Sequence, residues 1–193
     1  MTPAAPHATP DTREDRRTGL ALLLGGLLGT LASGVLTYEH LRSLADPAFV
    51  PGCDVNAVIG CGDVMTTWQG NLLGFPNMLL GLAGFAALAA LGAALAAGAA
   101  LPRLLWRALW TGLAAGFAFT AWLIGQCLYE IGALCPWCAL VWAVVIPLFW
   151  YVTRRLSAPG SPLRALPHWL VPLTLYAVVA ILVVTRFGGR LLA

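Results

Sequence analysis

The chain has 193 residues, 60% of them hydrophobic and 10% charged, with a net charge of +3 and a mean hydropathy of +0.82. Soluble domains carry about 25% charged residues, so this composition excludes a soluble globular protein and points to a chain that lives in a bilayer. All eleven basic residues are arginines; they form no basic patch, which gives nucleic-acid binding no footing.

Residues 1–18, rich in Pro, Thr and charge, read as a disordered tail. A bilayer core of roughly 30 Å takes about 20 apolar residues of helix. Residues 20–38 (LALLLGGLLGTLASGVLTY) supply the first such run. Arg16 and Arg17 ahead of it resemble the head of a secretory or twin-arginine signal. The run is nevertheless as long as a bilayer is thick, and no small-x-small cleavage site precedes the loop, so an uncleaved span is expected. Residues 39–71 follow as an irregular loop with Pro47, Pro51, Gly52, Gly60 and Gly62. Such backbone cannot face lipid and must cover the helices or stand in water. Within it DVMTTW, residues 63–68, suits a short helix re-entering the outer leaflet before Gly70.

Further spans are expected at about 76–101, 108–129 and 134–153. Residues 154–168 then form a connector with Pro159, Gly160, Pro162 and Pro167, and 169–193 hold a fifth span, to about 185, and a short tail. Gly25/Gly29 and Gly112/Gly116 read as close helix–helix contacts. The fold class is an all-α, multi-pass integral membrane protein without internal repeats. With the N-terminus in the cytoplasm, Arg13, Arg16, Arg17, Arg103, Arg107, Arg154, Arg155 and Arg164 lie inside, against Arg42, Arg186 and Arg190 outside. This positive-inside bias sets the 39–71 loop and the short link near Glu130 on the outer face, in an oxidising compartment where disulfides persist.

Four of the five cysteines stand on that face, in CDVNAVIGC (53–61) and CPWC (135–138). Pro136 suits the first turn of a helix, so Cys135 is expected at a helix N-terminus, where the macrodipole favours a thiolate; Cys138 lies one turn further in. Three readings are open. Two structural disulfides are one, although a Cys-x-x-Cys bridge closes too small a ring to stabilise much. A four-cysteine zinc site is another, although one clip has the wrong spacing and the histidines His7, His40 and His168 are scattered. A thiol relay is the third, and it explains why two pairs stand at two depths. Cys127, the odd cysteine, reads as a packed small hydrophobe; Glu130 and Asp63 read as solvated.

The order CDVNAVIGC, a short amphipathic stretch, GFPN opening the second span and a Cys-x-x-Cys heading the fourth resembles the vitamin K epoxide reductase family in its bacterial form, over roughly residues 20–152. The resemblance implies a four-helix bundle around a quinone, with a half-helix lid after the loop cysteines and a fifth helix beside it. It implies an enzyme, a quinone-dependent thiol oxidoreductase of the bacterial inner membrane that generates disulfides in other proteins. Electrons would pass from a thioredoxin-like or DsbA-like extracytoplasmic partner to menaquinone or ubiquinone. Because the chain stops at Ala193, that partner is expected to be a separate protein. Cys53 would meet the partner, Cys61 would exchange with Cys135, and Cys138 would act on the quinone. Asn77 would hydrogen-bond a quinone carbonyl, and Trp142, Phe75 and Trp68 would wall the pocket, with no metal site. Trp142 stands where animal members commonly carry a tyrosine. Thr66 and Thr67 stand where members have small hydroxyl residues. Two alternatives are a DsbB-type four-helix oxidoreductase with the same logic and a non-enzymatic membrane protein with structural disulfides.

Overall fold

The computed structural model describes residues 12–191. It is helical throughout: α1 (Thr12–Ala45), α2 (Gly62–Met65), α3 (Asn77–Ala96), α4 (Arg103–Gln126), α5 (Pro136–Leu156), α6 (Pro162–Ala165) and α7 (Leu170–Leu191). Five of these helices, α1, α3, α4, α5 and α7, are long and apolar enough to cross a membrane. Among the described residues there is no strand, only an isolated bridge between Ile59 and Leu134.

Several boundaries differ from those expected. Residues 12–18, assigned to the tail, belong to α1, which runs 34 residues, about 50 Å at 1.5 Å per residue. Its ends therefore stand beyond a hydrocarbon core of roughly 30 Å, and Tyr38–Ala45 carries the helix above the bundle. Residues 186–191, assigned in part to an outer tail, continue α7. Residues 1–11 and 192–193 lie outside the described residues. The lid is two short turns, α2 and a 3₁₀ turn at Gln69–Asn71, and the chain then turns at Gly74, whose φ is +81°.

Helix α1 lies most closely on α3, and small residues set the approach. A methyl group at Gly26 would strike the Ala89 backbone, at Gly29 the Phe85 ring and at Gly92 the Leu23 backbone; at Gly25 it would come within 2.9 Å of Leu148 on α5. Gly25 and Gly29 are thus packing positions, as expected, and Gly19, Gly26 and Gly92 join them. Gly112 and Gly116 are not: a Cβ at either meets nothing within 4 Å. They lie on the part of α4 turned away from its neighbours, where a small residue has no backbone to admit.

The lower core joins Leu22, Phe85, Leu95, Trp106, Leu113, Val145 and Leu148 from α1, α3, α4 and α5. The far end of this half is closed by Asp15–Arg155, 2.6 Å apart, with Arg155 over Trp106. Arg164 there donates to the carbonyls of Arg154 and Arg155. The upper core joins Leu36, Cys53, Cys61, Met65, Ile124, Cys127, Cys135, Trp142 and Phe187. Helix α5, about 31 Å long, separates the two, so the arginine cluster and the cysteines occupy opposite ends. The helix surfaces away from the bundle are apolar, as at Leu24, Leu27 and Leu31 of α1 and Val178, Ile181 and Val184 of α7.

Candidate redox site

The loop that carries the first cysteine pair is built around two side chains inside it. Asp54 Oδ1 accepts the backbone N–H groups of Cys61 and Gly62, at 2.5 and 2.9 Å, and so satisfies two of the orphan donors at the start of α2. Asn56 Oδ1 accepts from Val58 and Ile59 at 2.9 and 2.8 Å, the local turn that Asn favours. Gly60 and Gly62 let the Asp54 carboxylate come close; a Cβ on Gly62 would stand 2.7 Å from its oxygen. The seven residues thus fold into a tight bow, and Cys53 and Cys61 form a disulfide with their Cα atoms 5.7 Å apart.

A second set of bonds brings this bow to the other pair. Leu134 donates to Val58 O at 2.7 Å and Gly60 donates to Leu134 O at 3.1 Å. The chain reaches Leu134 through a π-helical turn at Cys127–Ile131, which ends on Gly132 with φ +75°, a left-handed conformation that suits glycine. This two-bond clamp lays the loop beside the head of α5 and places Cys61 Sγ 3.2 Å from Cys135 Sγ. Both residues are fully buried.

Cys135 caps α5, with Pro136 at the first helical position. Its sulfur accepts the Cys138 N–H at 3.3 Å. The hydrogen bond from the Cys138 thiol holds the Cys135 pKa below its ordinary value, helped by the Cys138 and Trp137 backbone N–H groups. Burial, and Glu39 when it is ionised, push the other way without prevailing. Cys135 and Cys138 are both free thiols here, and Cys138 is half-buried.

The remaining expected site residues fall into two places. Asn77 opens α3 and donates from Nδ2 to Gln69 O at 2.5 Å. Since that partner is a carbonyl, the amide must face it with its nitrogen. The Asn77 Oδ1 is then buried without a hydrogen-bond partner among the described residues. Met78, the next residue, packs on the same cluster as Cys138. Gln69 reaches across to α4 and donates to Gln126 Oε1 at 3.1 Å, tying the lid down. Thr66 and Thr67 donate to the Gly62 and Val64 carbonyls, so they close the lid turns on themselves. Trp68 is 63% exposed and lies 5.9 Å from Trp122, and Phe75 is also exposed. Trp142 is buried in the upper core and also lines an apolar cleft of about 350 Å³ between α5 and α7, with Cys135 at its upper wall and Tyr176 across it. The structure therefore gathers the four cysteines with Trp142 in one core, ties Asn77 to the lid, and leaves Phe75 and Trp68 exposed.

Five residues escaped the sequence reading, Glu39 among them. Asp54 and Asn56 lie inside CDVNAVIGC, where Asx residues in a short loop are a legible turn signal. Gln69 and Gln126 are 57 residues apart and had no local signal. The fifth cysteine, Cys127, is buried in the upper core, while Asp63 and Glu130 are exposed, all three as expected. Glu39, Cys53 and Cys61 bring ligating atoms within 4.8 Å of one another, but the disulfide leaves neither sulfur as a thiolate. His7 lies outside the described residues, and His40 and His168 stay apart from the cysteines in sequence and in hydrogen bonding. What the arrangement can do is thiol–disulfide exchange: a disulfide, a third sulfur at its edge and a fourth one turn further in.

Among curated proteins no match is found. The vitamin K epoxide reductase family matches residues 20–153, all four long helices of the bundle with both cysteine pairs. On that match the chain belongs to the vitamin K epoxide reductase family, a family of membrane oxidoreductases, and its clustered cysteines suit thiol chemistry.

Proposed function

We propose that this protein oxidises the dithiol of a separate thioredoxin-like or DsbA-like protein on the outer face of a bacterial inner membrane and delivers the two electrons to a membrane quinone, menaquinone or ubiquinone. The observation that carries the reading is the row of sulfurs in which the bonded Cys53–Cys61 pair ends 3.2 Å from Cys135. Exchange needs an attacking sulfur close to a disulfide and a thiol with thiolate character, and Cys135, held below its ordinary pKa, has both. A purely structural pair of disulfides gives no reason for a free thiol to stand there. Cys53, 7% exposed against 0% for Cys61, is the sulfur through which the partner reaches the row.

A quinone accepts two electrons and two protons, and its fit is tested at Asn77. The buried Asn77 Oδ1 lacks a donor, which suits the hydroxyl of a quinol more than the carbonyl expected from the resemblance; the second Nδ2 hydrogen serves a carbonyl. Gln69 and Gln126 hold Asn77 in place through the lid. The positive-inside rule applied to the arginine end supports an outward position for the cysteines.

The test is quinone reduction by the purified protein in detergent, driven by a reduced thioredoxin-like dithiol. Turnover is expected to depend on the dithiol, and Cys138→Ala is expected to abolish it while still trapping mixed disulfides. Unchanged quinone reduction in Cys138→Ala would remove that cysteine from the path. Inert disulfides with every quinone and dithiol tried would favour the structural reading.

A further inference from the structure

One buried titratable group has no part in the relay as described so far. Glu39 stands on α1, just past its uncharged stretch, and is 8% exposed. Its Oε1 accepts the Gly52 N–H at 3.1 Å, and its Oε2 lies 3.1 Å from Cys53 Sγ. Among the described residues no cation lies within ion-pair distance of it; Asp15–Arg155 is an ion pair at the other end of α1. The groups that face it are Cys53 and Cys61 from the loop and, from the head of α5, Cys135, whose thiolate an ionised Glu39 disfavours. Asp54 is turned to the Cys61 and Gly62 amides. On α1 itself His40 and Arg42 are neighbours in sequence, and Arg42 is engaged with Tyr38 and the Phe49 ring.

A sulfur in a disulfide has no proton to give. A buried carboxylate without a cation is also costly. The 3.1 Å contact is satisfied when Glu39 holds a proton and donates its O–H to Cys53 Sγ, and equally, after reduction, when the Cys53 S–H donates to a carboxylate. One proton fits both states and changes sides between them. We propose that Glu39 is the proton donor and acceptor for Cys53, a catalytic residue of the loop pair; this rests on the exchange reading above.

The cycle balances. A partner thiolate attacks Cys53, the Cys53–Cys61 bond breaks, and Cys61 leaves as a thiolate. The second partner thiolate attacks the partner's own sulfur in the mixed disulfide. Cys53 leaves, taking the proton from Glu39, and the partner departs as a disulfide. Cys61 then attacks Cys135 of an oxidised Cys135–Cys138 pair, and Cys138 leaves as a thiolate. Last, Cys53 returns its proton to Glu39 and attacks Cys61, the Cys53–Cys61 bond re-forms, and Cys135 leaves as a thiolate. Two electrons have moved from the partner to the inner pair, the two partner protons have gone to solvent, and Glu39 is again protonated. Its role is to keep Cys53 from being stranded as a buried thiolate when it leaves, or as an unreactive thiol when it must attack.

The test uses the purified full chain, dithiothreitol as dithiol and a soluble quinone analogue, with rates taken across pH for the native protein and for Glu39→Gln and Glu39→Asp. Glutamine keeps an N–H for Cys53 and an acceptor for Gly52 but moves no proton. Glu39→Gln is expected to retain the loop disulfide by thiol counting, to slow about a hundredfold near neutral pH, and to recover as pH rises and solvent base replaces the carboxylate. Glu39→Asp is expected to keep the native profile at a lower rate. Equal rates in Glu39→Gln and the native protein, or one constant factor between them at every pH, would overturn the proposal. Reduced-minus-oxidised infrared difference spectra give a second measurement on the native chain. A protonated carboxyl band is expected to be lost on reduction and to shift in Glu39→Asp; no carboxyl change would overturn the assignment even where Glu39→Gln fails to fold. If the native protein passes no electrons from dithiothreitol to quinone, the exchange reading itself falls, an outcome distinct from the other two.

Discussion

Cys135 is the residue on which the two halves of the site depend, because it caps a helix and also touches the loop disulfide. Its thiolate is favoured by the Cys138 thiol and by backbone N–H groups. A lowered thiol pKa means that the thiolate persists as pH falls below the range of an ordinary cysteine and is lost only when pH passes the lowered value. In a Cys127→Ala background, the ultraviolet titration of thiolate is therefore expected to have its Cys135 midpoint below that of a free cysteine. Cys138→Ala is expected to raise the midpoint, since the first cause of the shift is removed. A midpoint that ignores Cys138 would mean that the helix N-terminus alone sets it. The two cysteine pairs stood out by residue type and spacing, and Asn77 only through the family resemblance. Trp142 was legible only as a position on a helix. Its direction, toward the α5–α7 cleft, depends on which neighbour the helix presents it to.

At the scale of elements, the spans were legible because twenty apolar residues have few other uses, while their ends were not. Helix α1 continues to Ala45 because Glu39 and Tyr38–Arg42 find partners above the bundle, in the loop and on the helix itself, and no window of hydropathy reports that. The glycines make the same point. Gly112 and Gly116 carry the same i, i+4 spacing as Gly25 and Gly29, yet only the second pair meets a neighbouring helix. Gly26→Val is expected to destabilise the chain by about 1–3 kcal/mol, the usual cost of forcing bulk into a packed contact. Gly116→Ala is expected to cost no more than about 0.5 kcal/mol, because its methyl group meets nothing within 4 Å. Thermal or denaturant unfolding in detergent measures both. A large loss in Gly116→Ala would return α4 to the close-packing role that its spacing suggested.

For the whole molecule the separation of ends is the governing fact. Asp15, Arg155 and Arg164 close one end and the sulfur row occupies the other, so a single orientation decides the compartment of every cysteine. With the arginines in the cytoplasm, a membrane-impermeant thiol reagent is expected to label reduced Cys53 in right-side-out vesicles and to leave it unlabelled in inverted ones. The opposite pattern would put the relay in a reducing compartment and remove the argument for disulfide formation. Helix α7 adds an arm to this end: Arg186 donates to Leu128 O at 2.9 Å, and Phe187 is fully buried in the upper core. The fifth span thus helps hold the π-helical turn from which Leu134 and Cys135 are hung.

The sequence by itself determined the solvent the protein lives in, the number of long apolar helices, the presence of two thiol pairs and the family to which they belong. Each of these is a local property, carried by composition, by run length or by spacing along the chain. Only the tertiary structure decided which sulfurs touch, that Asp54 folds the loop, that Glu39 meets Cys53, and that Trp142 lines the α5–α7 cleft. The contacts of Glu39 with Cys53 and of Cys61 with Cys135 join residues 14 and 74 positions apart, and they follow from where two hydrogen bonds at Leu134 and a tight α1–α3 seam place the backbone. No spacing along the chain encodes such a distance, because it is set by the packing of elements whose own sequences do not mention one another.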